Sequence, residues 1–305
     1  MKQVTISIPA TSANLGPGFD CLGLALSLHN TFTLTGSDSP TVSPLTIEAS
    51  GVDAHKIPTD ASNLFVQSAE IIFAKVGKRP FSLHLQQHNC IPVGSGLGSS
   101  STAVLGGMLA ANALVDGGLS RADILQLATD LEGHPDNVAP ALYGGLVLGV
   151  QGEEGLHIEQ FPIPSLQATV ILPDFHLLTS EARAALPSHI PLKDAIFNTS
   201  RIGLLIHALQ TADFAKLNIA MQDKYHQPYR IPLIPGMAEA FAAARCAGAA
   251  ALALSGAGPS LIAFAPANHQ AIATAAQEAF AQAGLTSRTW LLSLDTEGAC
   301  VTIAH

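Results

Sequence analysis

Val4, Ile6 and Ile8 alternate with polar residues, the period-two pattern of a half-buried strand over residues 4–8. PATSANLGPGFD follows, with two prolines, two glycines and the turn-prone Ser12 and Asn14, and reads as a loop that continues neither strand nor helix. Its end, Phe19 and Asp20, runs into apolar LGLALSL. Residues 31–50 read as strands broken by Pro and Ser. In PTDASNLFVQSAEIIFAKVG the period changes: Leu64, Ile71, Ile72 and Val76 share one helical face, with Ser62 as N-cap. FSLHLQQ alternates Phe81, Leu83 and Leu85, a strand that delivers the chain into IPVGSGLGSSST. His84 and His88, on or just after it, read as solvent-facing. Residues 103–115, AVLGGMLAANALV, read as a buried helix. SRADILQLATDLEG starts with Ser120 and Asp123 at capping-box spacing and ends near Gly133. HPDNVAPALYGG then reads as a tight turn around Pro135 between apolar segments.

The second half has its own order. ATVILP is a strand, and helical stretches follow in TSEARAAL, residues 194–210 and residues 235–247. Next come a strand near 250–254, the turn SGAGPS, the strand LIAFA, a helix over 269–283 and the strand TWLLSL. The order β, helices, β, β, α, β is that of the split βαβ, or ferredoxin-like, arrangement. The fold class is therefore α+β. A composition shift at FPIPSLQ divides the chain into domains 1–165 and 166–305, and a chain of 305 residues has room for about two cores.

Composition narrows the function. No run of about 18 apolar residues occurs, and the N-terminus lacks the apolar core of a signal peptide, so neither membrane span nor export is expected. Lys plus Arg number 14 against 23 Asp plus Glu, a net charge of -9 with no basic patch, which excludes a nucleic-acid binder. Cys21, Cys90, Cys246 and Cys300 are far apart without C-x-x-C spacing, which argues against zinc and for free thiols in a reducing cytoplasm. A cytoplasmic protein acting on small molecules fits these bounds.

Candidate chemistry starts at residues 91–102. Gly94, Gly96 and Gly98 stand with Ser95, Ser99, Ser100 and Ser101 just before a helix, where backbone N–H groups and the helix dipole favour an anion. The same letters also suit a turn with a Ser N-cap. The loop lacks the lysine of a P-loop, the last glycine of a dinucleotide fingerprint and the G-x-S-x-G of a hydrolase elbow. Asn14 and Asp20 sit on the first loop, where they either face a ligand or close an Asx-turn. Glu132 stands at a helix C-terminus, where the dipole is unfavourable, and is either a magnesium ligand or a solvated acid. Thr179 and Arg183 share a helix face, and Arg183 and Arg230 can each clamp a carboxylate or pair at the surface.

Three glycine-rich loops, SANLGPGFD, PVGSGLGSSST and SGAGPS, stand in this order and resemble the three motifs of the GHMP kinases. PATSANLGPGFDCLGLAL is similar to the homoserine kinase form of the first motif, and EGHPDNVAPALYGG, TSEARAALP and QPYRIPLIPG resemble that branch as well. The resemblance spans nearly the whole chain. It implies a two-domain fold, an N-terminal half like ribosomal protein S5 with a left-handed βαβ unit and a ferredoxin-like C-terminal half. It implies ATP and Mg²⁺, transfer of the γ-phosphoryl group to L-homoserine in threonine biosynthesis, and a possible homodimer. Pro92, Val93, Gly94, Ser95, Gly96, Leu97, Gly98, Ser99, Ser100, Ser101 and Thr102 are then expected around the triphosphate, with Asn63 near the adenine. Ser100 and Glu132 are expected to hold the metal, and Asn137 to orient the attacking hydroxyl. Asn14 and Asp20 are expected to meet the amino acid, with Asp20 on the ammonium. Arg183 and Arg230 are expected on its carboxylate, with His134, Thr179 and Gly258 nearby. A kinase for another small alcohol and a non-catalytic sensor on the same fold are the alternatives.

Overall fold

The computed structural model describes residues 2–39 and 43–304. β1 (Lys2–Asn14) and β2 (Gly18–Ser37) form an antiparallel hairpin that replaces the loop expected over residues 9–20. Residues 10–13 pair with 23–26, and Pro9 falls at a register shift, where its missing N–H interrupts no regular ladder. Only residues 15–17 turn, and Asn14, Leu15 and Gly16 all have positive φ. A Cβ on Gly16 would overlap the carbonyl of Met221, so only glycine lets the second half approach this turn.

β3 (Leu45–Gly51) runs parallel to β4 (Ser82–Asn89), with α1 (Leu64–Val76) between them. Asn63, one residue beyond the expected Ser62, caps α1: its side chain accepts from the N–H groups of Phe65 and Val66. Ser62 is tied to Asp60 instead. α2 (Ser99–Leu114) starts earlier than its apolar run, so the serines form its first turn. It is buried nearly all round, and Gly107 lets it press against the Phe65 carbonyl of α1. α3 (Arg121–Glu132) has the expected Ser120–Asp123 capping box. The expected tight turn at Pro135 is the start of α4 (Pro135–Tyr143), because Pro at the first helical position loses no hydrogen bond. β5 (Leu146–Gly152) and β6 (Gly155–Phe161) complete this half.

β7 (Gln167–Pro173) opens the second sheet. α5 (Thr179–Ala184), α6 (Leu192–Thr211), α7 (Phe214–Ala220), α8 (Gln227–Arg230) and α9 (Met237–Cys246) lead to β8 (Ala251–Leu254) and β9 (Leu261–Phe264). α10 (His269–Gln282) and β10 (Ser287–Ser293) follow. The sheet order β10-β7-β9-β8, antiparallel throughout, is ferredoxin-like. β11 (Cys300–Ala304), which the hydrophobic pattern did not mark, then returns to the first sheet beside β1. Val301 and Ile303 alternate with Thr302 there, but the run is short and its side chains are exposed, so it packs into no core. One buried cluster joins Leu22, Leu24 and Leu146 of the first sheet to Leu205, Phe264 and Leu292 of the second half. His84 and His88 lie on an outer face beside Glu48 and Ser50, and the four cysteines are free. Among the described residues no helix is long and apolar enough to cross a membrane.

Candidate active site

The glycine loop before α2 is an arc of unused donors. Gly94, Gly96 and Gly98 have φ of 68°, 76° and 73°, values that L side chains rarely adopt. Among the described residues, no backbone N–H from residue 94 to residue 101 has a protein acceptor. The loop is held from behind. Asn30, fully buried on β2, accepts from the N–H groups of Cys90 and Ile91, both at 2.9 Å, and donates to Thr102 at 3.0 Å. Val93 N donates to Asp53 at 3.1 Å, and Thr11 N to the Leu97 carbonyl at 3.1 Å. Held in this way, the loop places Gly94, Ser95, Gly96, Gly98, Ser99 and Ser100 on the wall of one cavity of about 520 Å³.

Glu132 ends α3 opposite the N-terminus of α2. It accepts from Ser100 Oγ at 3.1 Å and Ser101 Oγ at 3.0 Å. The unfavourable dipole of its own helix is thus offset by the favourable end of its neighbour.

The three glycine motifs interlock at this point. Asn14 Nδ2 donates to the Gly256 carbonyl at 2.9 Å, and Gly256 N donates to the Ala13 carbonyl at 3.1 Å. Gly96 lies against the carbonyls of Ser255 and Gly258, where a Cβ would overlap both. Ser255 Oγ sits 2.7 Å from the Gly96 carbonyl and 2.9 Å from Ser12 Oγ.

Beyond the arc the cavity becomes charged. Asp20, held at φ 59° with its N–H on Asn14 Oδ1, accepts both Nη groups of Arg183 at 2.9 Å. That pair holds the Arg183 pKa above its ordinary value. Arg230 is buried on α8, and burial, then the nearby Arg183, brings its pKa down to about 10, which leaves it charged at neutral pH. His134 Nδ1 lies 2.5 Å from Asp136 Oδ1, and this bond raises the imidazole pKa against the effect of burial. Asn137 Oδ1 accepts from Thr11 Oγ1 at 2.8 Å, which turns its Nδ2 toward Asp136, 3.4 Å away. Ligating atoms of Asp20, His134 and Asp136 lie within 4.8 Å of one another. The Arg183 guanidinium already meets this cluster, so it is a place for mixed charge and not a cation cage. The Cys21 thiol beside it is pushed up to about 11 by burial, then by Asp136 and Asp20, and stays protonated at neutral pH.

The structure brings Asn14, Asp20, Glu132, His134, Asn137, Thr179, Arg183, Arg230 and Gly258 to the wall of this single cavity. Val93, Gly94, Ser95, Gly96, Gly98, Ser99 and Ser100 line it too, as do Asn63, Lys56, Pro58 and Gln87. Pro92, Leu97, Ser101 and Thr102 are not on the wall; the side chains of Leu97 and Thr102 are fully buried behind it. The Asn63 amide is largely engaged, since Oδ1 caps α1 and Nδ2 donates to the Pro58 carbonyl at 2.9 Å. Asn30, Thr11 and His226 escaped the sequence reading. Thr11 and Asn30 lie on ordinary strands and His226 just before α8, and the only signal of each is a polar letter at a position the tertiary structure buries.

Comparison with known proteins gives the family. The family models for the GHMP kinases N terminal domain and the GHMP kinases C terminal match residues 63–145 and 205–283. A homoserine kinase of Moorella thermoacetica is 45% identical over 97% of this chain and 99% of its own length. One from Trichormus variabilis is 44% identical over 98% of this chain and 99% of its own. The crystal structure of homoserine kinase from Cytophaga hutchinsonii superposes with a TM-score of 0.86 at 32% identity, covering 98% of this chain and 97% of that one. With interlocked glycine loops, an arc of free N–H donors and these relatives along nearly its whole length, the chain belongs to the homoserine kinase branch of the GHMP kinase family.

Proposed function

We propose that this cavity transfers the γ-phosphoryl group of ATP to the side-chain hydroxyl of L-homoserine, giving O-phospho-L-homoserine and ADP. The observation that carries the reading is the pairing of two regions in one cavity. The free N–H groups of Gly94, Ser95, Gly96, Gly98, Ser99 and Ser100 lie at one place, and the Asp20–Arg183–Arg230 charges lie at another. The arc suits a triphosphate, with the base toward Asn63. Ser100 and Glu132 offer a hydroxyl and a carboxylate oxygen 3.1 Å apart beside it, hard donors that fit Mg²⁺. These two residues would hold the ion, which when bound neutralises phosphate charge. Their presence also favours an enzyme over a sensor.

The charge pattern favours an amino-acid acceptor. Asp20 and Arg183 satisfy each other without ligand. A zwitterion entering between them replaces one ion pair with two, ammonium to Asp20 and carboxylate to Arg183 and Arg230. An acceptor with a carboxylate and no ammonium, such as mevalonate, would draw Arg183 away and leave Asp20 unpaired, a cost of about 1–3 kcal/mol or more.

Phosphoryl transfer asks mainly for positioning and charge stabilisation. Asn137 Nδ2 orients the hydroxyl oxygen. The new O–P bond forms as the bond from the γ-phosphorus to the bridging oxygen breaks, and ADP leaves with that oxygen. The hydroxyl proton passes to an oxygen of the transferred group. A kcat profile with one carboxylate ionisation that Asp136→Asn abolishes would instead make Asp136 the base. The reaction is tested by ADP release with L-homoserine, L-serine, mevalonate and shikimate. Release that depends on L-homoserine is expected, and indifference to it refutes the proposal.

A further inference from the structure

Arg230 is held from three sides. Its Nε donates to the Ala182 carbonyl at 3.2 Å, and its Nη1 faces the Gly256 carbonyl at 3.3 Å and His226 Nδ1 at 3.4 Å. Its Nη2 has no protein acceptor among the described residues, and Arg230 forms part of the cavity wall. The third of those acceptors is conditional. A carbonyl always accepts, whereas an imidazole nitrogen accepts only when it carries no hydrogen.

The surroundings of His226 decide the matter. The ring is fully buried, and its Nε2 lies 2.9 Å from the Gly16 carbonyl and 3.5 Å from Asp223 Oδ2. Both are acceptors, so Nε2 carries the hydrogen and Nδ1 presents its lone pair to a guanidinium that can only donate. Asp223 is fixed in turn by Asn198 Nδ2 at 2.6 Å and by the N–H groups of Tyr225, His226 and Gln227. Phe19 stacks on the imidazole at 5.2 Å between centroids, and the Arg230 guanidinium lies over the Phe19 ring, 5.2 Å from its centroid.

We propose that His226 is a positioning residue. Held as the Nε2–H tautomer by Gly16 and Asp223, it locks Arg230 so that Nη2 meets the carboxylate of the amino-acid acceptor. The inference rests on the proposed reaction for its substrate and on this geometry for its tautomer. It divides the clamp into a fixed arm, Arg230, and a swinging arm, Arg183, which must leave Asp20. It also ties the carboxylate end to the Gly16 turn, which follows Asn14 and leads to Asp20, so one turn sets both ends of the amino acid.

Two measurements separate this role from simple packing and from failure of the proposed reaction. In the ¹⁵N-labelled wild-type protein at neutral pH, the His226 ring should show a protonated Nε2 and a bare Nδ1. An Nδ1–H tautomer or an imidazolium overturns the relay whatever the protein catalyses, and this readout needs no variant to fold. In kinetics, His226→Asn places Oδ1 where Nδ1 stood and keeps an acceptor for Arg230. His226→Gln reaches toward Gly16 and has no acceptor at that position. The Gln variant should raise KM for L-homoserine about tenfold, with kcat and KM for ATP changed by less than about twofold, while Asn stays near wild type. Equal effects of Asn and Gln, or an equal rise in KM for ATP, reduce His226 to packing. A wild-type protein without homoserine-dependent turnover refutes the reaction and leaves the tautomer to decide the relay.

Discussion

Arg183 illustrates how one residue carries two states. Its bidentate bond to Asp20 is what an isolated arginine usually makes, yet the pair sits at the wall of the cavity. Arg183→Ala should raise KM for L-homoserine by roughly 10- to 100-fold, the equivalent of about 1.5–3 kcal/mol for a lost charged hydrogen bond. KM for ATP should barely move, and an unchanged homoserine KM would remove Arg183 from the site. His134 gives a pH prediction. Its bond to Asp136 raises its pKa in the folded protein above the ordinary 6.5. The folded state therefore holds the proton more tightly, and this stabilisation is complete below about pH 6.5 and lost as pH rises through the folded value. The urea midpoint should fall across that window by more in wild type than in Asp136→Asn. Parallel curves would show that the pair contributes nothing.

At the level of elements, the glycine loop reads clearly because its conformation demands its letters. Gly96 and Gly94 nevertheless differ. A Cβ on Gly96 would overlap the backbone of Ser255 and Gly258, neither of which can rotate away, whereas on Gly94 it meets only the His176 ring at 3.5 Å. Gly94→Ala should cost about 1–2 kcal/mol for its positive φ alone. Gly96→Ala should lose a further 1–3 kcal/mol or so from overlap and also raise KM for ATP. Equal urea midpoints would mean that the two motifs do not interlock. The elements the pattern misread share one cause. Residues 9–14, which include Pro, Ser and Asn, are a strand because β2 supplies partners, and the helix that Pro135 opens packs on β2 because Gly23 has no Cβ to meet the Asp136 carbonyl.

Across the whole molecule, two sheets share one cavity and one buried cluster. β11 leaves the second half to pair with β1, and the Asp295 backbone bonds both Ala25 and Gly145. Ala13, Ser95, Gly256 and Ser260 add backbone bonds between the glycine motifs. With the halves tied in this way, unfolding should be a single calorimetric transition that Mg²⁺–ATP moves as a unit. Two separated transitions, with only the first shifted by the nucleotide, would show independent halves.

The sequence alone determined what local physics dictates. Hydrophobic period marked most helices and strands, the βαββαβ order of the second half followed from it, and the glycine-rich loop before an apolar helix suited an anion site or a capped turn. Asn14 and Asp20 stood out by their place on the first loop, Glu132 by an unfavourable helix C-terminus, and Arg183 and Arg230 as side chains able to clamp a carboxylate. Only the tertiary structure decided which of them meet. Asp20 and Arg183 are separated by 163 positions in the chain and join because the second half folds back onto the first turn. Long-range pairing also decided β11, the anchoring of the loop by Asn30, and the orientation of Arg230 by His226. A buried polar residue is defined by partners distant in the chain, and no local pattern encodes them.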